Sequence, residues 1–300
     1  MKHLNLTASV GAGAENEPDD VLNIQKALNQ IAEKIGLNKP LAEDGEIHTE
    51  SSDSPTCQAI GLMQQNLCQF HHPDQRIDCH GRTYKALVMA LEPEVSYEEM
   101  FASGTEPQKG LTDDDFQAAA EVLQCETAAI QAVSEVESAG SGFFSNDLPK
   151  ILFEAHKFSG FTHHGFDASH PDISSETWDR SLYLGGEKEY HRLKQAMALD
   201  STAALKSASY GRYQIMGFNY QRAGYENVQN FVHSMVSAER NHLMAVIHFI
   251  KSNHTLLQAI QTLDWPVFAR EYNGPEYAVN HYDLRLQSAY EKYRASMRRS

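Results

Sequence analysis

Glu135 and Glu137 stand two positions apart near the end of the segment running from Ala128, and only one of them is placed for chemistry. At about 100° per residue, Glu137 falls about 20° from Ile130, on the apolar stripe that also holds Val133, whereas Glu135 falls about 140° away and faces water. Gly140 and Gly142 end the helix just beyond. A carboxyl held among apolar groups keeps its proton to higher pH, which suits a general acid working near neutrality. Helical phase alone equally allows a glutamate that reaches solvent past Gly140.

An inverting glycosidase would need a second carboxylate about 6.5–9.5 Å away to hold water. Asp147, Glu154, Asp167 and Asp172 are the candidates. Glu154 is preferred as the second catalytic group because it follows Ile151-Leu152-Phe153. A carboxylate in an apolar frame needs a partner or a purpose. His156 or Arg212 would be that partner in a purely structural ion pair.

Two further polar blocks follow in the chain. The first is Ser209-Tyr210-Gly211-Arg212-Tyr213-Gln214-Ile215-Met216-Gly217, and the second is Ala269-Arg270-Glu271-Tyr272-Asn273-Gly274. With Glu137-Ser138, they resemble three blocks of the lysozyme superfamily: its Glu-Ser motif, its Ser-x-Gly-x-x-Gln-Ile-Met block and its Ala-x-x-Tyr-Asn-Gly block. They also stand in the superfamily's order. The stretches Ile151 to Phe158, Ala203 to Ser209 and Phe268 to Asp283 make the chain more closely similar to the N-acetylmuramidase family of phage endolysins and antibacterial effectors, over about residues 111–294.

That resemblance implies a helical lysozyme-like fold and cleavage of the β-1,4 bond between N-acetylmuramic acid and N-acetylglucosamine. It implies Glu137 as the acid that protonates the glycosidic oxygen. It implies substrate contacts from Ser138, Ser209, Gln214, Tyr272 and Asn273, with the Tyr272 hydroxyl also placed to hold Glu137. Two alternatives stay open. One is a lytic transglycosylase that leaves 1,6-anhydro ends and needs no carboxylate besides Glu137. The other is an inactive wall-binding adaptor.

The elements that must carry these residues are mostly helical. Thr112 ahead of Asp113-Asp114-Asp115 is a strong helix start, a capping hydroxyl followed by carboxylates in the first turn. Residues 109–300 are expected to form the catalytic domain. Phe231, Met235, Leu243, Ile247 and Ile250 belong to its core. The breakers between Glu92 and Gly110 predict a linker over 93–108.

Upstream, 1–92 reads as a small three-helix domain. A helix is expected from Val21, closing at Lys34-Ile35-Gly36, a second over Thr56 to Phe70, and a third over Thr83 to Leu91. Two segments echo each other: Asp44-Gly45 followed by Thr56, and Asp78 to Gly81 followed by Thr83. The pattern resembles the peptidoglycan-binding-domain family, with Met63-Gln64-Gln65 where that family carries Phe-Gln. A helical dimerisation or docking domain is the competing reading.

The bulk numbers exclude several classes. The formal charge is −15 and both halves are acidic, so nucleic acid is an unexpected partner and any wall binding must rest on sugar and peptide contacts. No apolar run approaches the roughly 20 residues of a membrane span. The first ten residues lack the apolar core of a Sec-type signal. The expectation is a protein made in the cytoplasm and acting in the periplasm or on the cell wall of a target or host bacterium. Phage lysis or secretion machinery would deliver it, and an immunity protein is a possible partner. Four cysteines are too few for a disulfide framework. Cys57 and Cys68 lie about 16 Å apart on one helix and should not bond to each other; either could pair with Cys79, and free buried thiols are the main expectation. The clusters around His71-His72 and His163-His164 lack zinc spacing, so neither a metal nor a cofactor is expected.

Overall fold

The computed structural model describes residues 4–47, 53–68, 70–91, 95–101, 106–138 and 140–297, apart from the side chains of Pro275 and Glu276. The chain divides into two compact units, Met1–Pro93 and Glu94–Ser300.

The first unit contains β1 (Val10–Gly11), α1 (Pro18–Gln30), α2 (Ala32–Ile35), α3 (Pro55–Asn66), β2 (Arg76–Ile77) and α4 (Arg82–Ala90). Pro at the first turn suits α1 and α3, because its missing N–H would have had no helical partner. Gly36 ends α2 in the left-handed conformation, at φ 69°. Val21, Ile24, Leu28, Ile60, Met63 and Leu87 close a core between the helices.

Two buried glutamines organise this unit in the same way. The Gln25 amide nitrogen donates to Asp44 Oδ1 (2.9 Å), the Glu46 carbonyl (3.1 Å) and Thr56 Oγ1 (3.3 Å). Its oxygen accepts from the N–H groups of Asp44 and Gly45. The Gln64 nitrogen donates to Asp74 Oδ1 (2.5 Å), the Arg76 carbonyl (3.0 Å) and Thr83 Oγ1 (3.1 Å), and its oxygen accepts from Gln75 N–H. Each glutamine thus ties its helix to a turn and to the threonine that opens the next helix. The expected repeat exists with a corrected register. Asp74-Gln75-Arg76, not Asp78 to Gly81, matches Asp44-Gly45-Glu46, and Gln75 (φ 57°) takes the left-handed place of Gly45 (φ 74°). The four cysteines are free, so the Cys79 pairing is not made.

The second unit begins with α5 (Tyr97–Phe101), α6 (Asp113–Leu123), α7 (Thr127–Glu137), β3 (Ile151–Phe153) and α8 (Ala155–Phe161). It continues through α9 (Glu189–Met197), α10 (Ser201–Lys206), β4 (Ala208–Tyr210), β5 (Ile215–Met216) and α11 (Val228–Ser237). It closes with α12 (Glu239–Lys251), α13 (His254–Thr262), α14 (Trp265–Asn273) and α15 (Tyr282–Met297). The fold is mostly α, as expected. The linker expectation is corrected. Phe101 and Tyr97 of α5 pack on Tyr190, and Gln108 exchanges backbone hydrogen bonds with Ser237 and Glu239. Of the stretch assigned to a linker, Tyr97, Phe101 and Gln108 therefore pack within the second unit.

Thr112 and Asp115 form a reciprocal capping box at the start of α6, worth about 1 kcal/mol. α7 packs between α6 and α15. The strands form one small antiparallel sheet in the order β3-β4-β5, with Leu152 opposite Ser209 and Ser209 opposite Met216. Alternation puts Ile151, Phe153, Tyr210 and Ile215 on the core face. Leu152, Ser209 and Met216 share the other face.

Candidate active site

Glu137 is the last residue of α7, half-buried, while Glu135 lies on the outer face bonded to Lys292 and Tyr293. The Asn273 amide nitrogen donates to Glu137 Oε1 at 3.0 Å. Arg285, from α15, reaches the Val136 carbonyl at 3.4 Å and so covers the end of the helix. Burial pushes the Glu137 carboxyl above its ordinary range, and the Asn273 bond and the Arg285 charge only partly oppose it. The negative end of the α7 dipole acts in the same direction as burial.

Tyr272 does not hold Glu137. Among the described residues the two share no hydrogen bond. The Tyr272 ring stacks on Phe268 at 5.6 Å and 10°, and burial holds its phenol protonated at any ordinary pH. It therefore forms an apolar wall beside the carboxyl. Ser138 donates to the Ser134 carbonyl at 2.5 Å and closes the last turn of α7.

The β4–β5 turn is tied to this helix by Tyr213, whose hydroxyl meets Ser134 Oγ at 2.8 Å. Within the turn, Ser209 Oγ donates to Gln214 Oε1 at 2.8 Å, and Gln214 Nε2 donates to the carbonyls of Gly211 (2.8 Å) and Lys150 (3.1 Å). Gln214 itself sits at φ 50°. Both residues thus brace the turn against the start of β3.

Behind the turn lie two buried groups of α12. His242 Nδ1 accepts from the Arg212 backbone N–H at 3.1 Å, and its Nε2–H donates to the Met235 carbonyl at 2.6 Å. Burial pushes this ring down to about 4, so it stays neutral. Glu239 accepts the N–H groups of Gly142 and Gly110 and faces Arg212. Burial opposes its charge, but these donors, with the Arg212 guanidinium, hold its carboxyl below the usual range. The His242 ring fills the space in front of both Gly142 and Gly211; a Cβ on Gly211 would lie 2.7 Å from Nδ1.

Glu154 follows β3, its side chain 16% exposed. Oε2 accepts the Tyr183 hydroxyl at 2.5 Å and lies 3.3 Å from His156 Nδ1. Oε1 has no protein partner among the described residues. Arg212, the other partner considered, faces Glu239 instead. The remaining carboxylates are otherwise engaged or apart. Asp147 pairs with Lys109, Asp167 accepts from Ser159 and Ser174, and Asp172 is exposed.

Tyr183, Glu239 and His242 were not singled out from the sequence. A signal existed for the last two. Glu239 and His242 are one turn apart on a helix whose Leu243, Ile247 and Ile250 are core, so a polar pair there had to be buried. Among the described residues no cluster of His, Cys, Asp or Glu could hold a metal ion, and no helix is long and apolar enough to cross a membrane.

A family model described as N-acetylmuramidase matches residues 126–294, a span that includes every one of the site residues above. The solved structure of an endolysin from the Burkholderia phage AP3 is similar over 96% of this chain and 99% of its own, with a TM-score of 0.60 and 29% identity. No curated protein matches the chain.

Proposed function

The chain belongs to the N-acetylmuramidase family, and from that premise, which makes it a glycoside hydrolase of peptidoglycan, we propose that Glu137 is its general acid. The bond cut would be the β-1,4 link between N-acetylmuramic acid and N-acetylglucosamine. The observation that carries this reading is the environment of Glu137. It is a half-buried carboxyl at a helix end, its ionisation shifted to higher pH by burial, with one neutral amide donor holding Oε1. Such a group delivers a proton to the leaving oxygen as the C1–O bond breaks.

Glu154 is the second carboxylate in this proposal. Tyr183 and His156 fix Oε2, which leaves Oε1 to orient water. Asn273 positions the acid, and Tyr272 supplies the apolar wall that keeps it protonated. Ser209 and Gln214 act through the β4–β5 turn they brace, and Ser138 through the end of α7. The first unit is proposed to retain the enzyme on the wall, since its two glutamine-held turns carry the elements of the peptidoglycan-binding resemblance.

Digestion of purified peptidoglycan by the wild type, Glu137→Gln and Glu154→Gln, with products identified by mass spectrometry, tests the assignment. Reducing muramic ends from the wild type, with a loss of about 10²–10⁴-fold in Glu137→Gln, is the expected outcome. Anhydro ends, with Glu154→Gln fully active, would replace hydrolysis by transglycosylation. Equal products from wild type and Glu137→Gln would remove Glu137 from the mechanism.

A further inference from the structure

Beside Glu154 the second unit holds an open pocket of about 520 Å³, within the range of small-ligand sites. Its rim exposes two large apolar side chains, Trp178 at 59% and Leu184 at 52%. Neither contributes to the core, so the fold gains little from them there.

The pocket is also built in advance of any ligand. The Trp178 indole N–H donates to the Tyr183 hydroxyl at 2.8 Å, and that hydroxyl donates to Glu154 at 2.5 Å. Burial and the neighbouring carboxylate push the Tyr183 phenol up to about 12, so the proton order of this relay is fixed. The indole edge is thereby tethered while the ring remains exposed. The opposite wall is held from beneath. Glu189 is fully buried and accepts the N–H groups of Leu184 (2.7 Å) and Gly185 (2.8 Å). Arg192 pairs with it at 3.0 Å. A buried ion pair is a costly way to hold a surface loop unless the loop's position matters.

Leu152 connects this pocket to the described site. It lines the pocket and stands opposite Ser209 on the same face of the sheet. Arg180, also in the lining, is exposed and makes no ion pair among the described residues.

We propose that this pocket is a subsite for one muramyl residue that carries its peptide stem. The sugar ring lies on the Trp178 face beside Glu154, whose Oε1 stays with the water, and Arg180 receives a stem carboxylate. Of the two alternating sugars only the muramyl one bears a stem, so Arg180 sets the register of the strand in the cleft. The inference deepens the muramidase reading and rests on it.

Steady-state kinetics of the full chain test it, on soluble glycan oligomers with their stems and on the same oligomers with stems removed by an amidase and the lactyl carboxylate thereby exposed capped as an amide. Trp178→Ala is expected to raise KM about tenfold on both substrates while kcat changes less than about twofold, and Trp178→Phe to recover most of the loss. Arg180→Ala is expected to raise KM about fivefold on the stem-bearing oligomers alone. Unchanged KM in Trp178→Ala would overturn the subsite. An Arg180→Ala effect that is absent, or equal on both substrates, would overturn the stem assignment. A wild type that releases no muramic ends from either oligomer would instead sink the muramidase reading itself.

Discussion

The Asn273 amide nitrogen lies 3.0 Å from Glu137 Oε1, joining the last residue of α14 to the last residue of α7. This bond favours the charged form, so it restrains the upward push of burial on the carboxyl. Asn273→Ala should move the alkaline limb of kcat/KM to higher pH, because the acid then holds its proton longer. The freed side chain should also lose its aim, with kcat falling about tenfold. A pH profile that does not move would show that Asn273 merely packs there.

Glu137 exacts a cost in stability. The folded state holds this proton more tightly than the unfolded chain, so the stability is complete below the unfolded value and is lost as pH rises through the raised folded one. Glu137→Gln, uncharged throughout, should match the wild type near pH 4 and melt higher at pH 8, each kcal/mol appearing as about 2–4 °C. Trp178 and Trp265 are the only tryptophans, and both lie in the second unit, so tryptophan fluorescence follows its melting selectively. A lower Tm for the variant at pH 8 would contradict the buried-acid account.

His242 acts in the opposite sense. Its folded value of about 4 lies below the ordinary one, so its contribution is complete above about pH 6.5 and is lost as pH falls through 4. The total is on the order of 3 kcal/mol. Glu239, whose folded value is also depressed, loses its stabilisation as pH falls through that value. The tryptophan-monitored Tm of Glu137→Gln, which removes the competing titration, should therefore drop between pH 6.5 and 4. A flat profile over that window would mean that the ring is not buried neutral.

In the first unit, Gln75→Gly should be stabilising. Gln75 adopts φ 57°, and its side-chain oxygen is buried without a hydrogen-bond partner. Relief of left-handed strain, less the entropy glycine adds to the unfolded chain, leaves about 0.5–1 kcal/mol. The buried thiols of Cys57 and Cys68 report on this unit, and their labelling should slow by about two- to fivefold. Faster labelling would show that the Gln75 side chain contributes more than its backbone costs.

The orientation of Glu137 was legible because Ile130 and Val133 set the phase of α7 and Gly140 marks its end. Its partner was not. Tyr272 and Asn273 are adjacent, and only the stacking of Tyr272 on Phe268, four residues earlier, decides which of the two reaches the carboxyl. Trp178, Arg180 and Tyr183 lie at or beside a single 3-10 turn, too short to show a period, so the pocket they line appears only once the chain folds. The repeat in the first unit was visible, but its register was not. The second copy has Gln75 where the first has Gly45, so the turn signal moved to the nearest remaining glycine, Gly81. The supposed linker misled for a related reason. Its breakers are real, yet Tyr97 and Phe101 find Tyr190, a partner roughly ninety residues ahead.

His242 closes against Gly142 and Gly211 with no room for a methyl group at either. The chain beyond α7 and the β4–β5 turn are therefore packed against one ring, and neither can close on the other without displacing it. Whatever breathing admits a glycan strand must come from elsewhere. Gly140 and Gly274, both at positive φ and with nothing within 4 Å of a would-be side chain, are the positions beside the acid where such a motion meets least resistance.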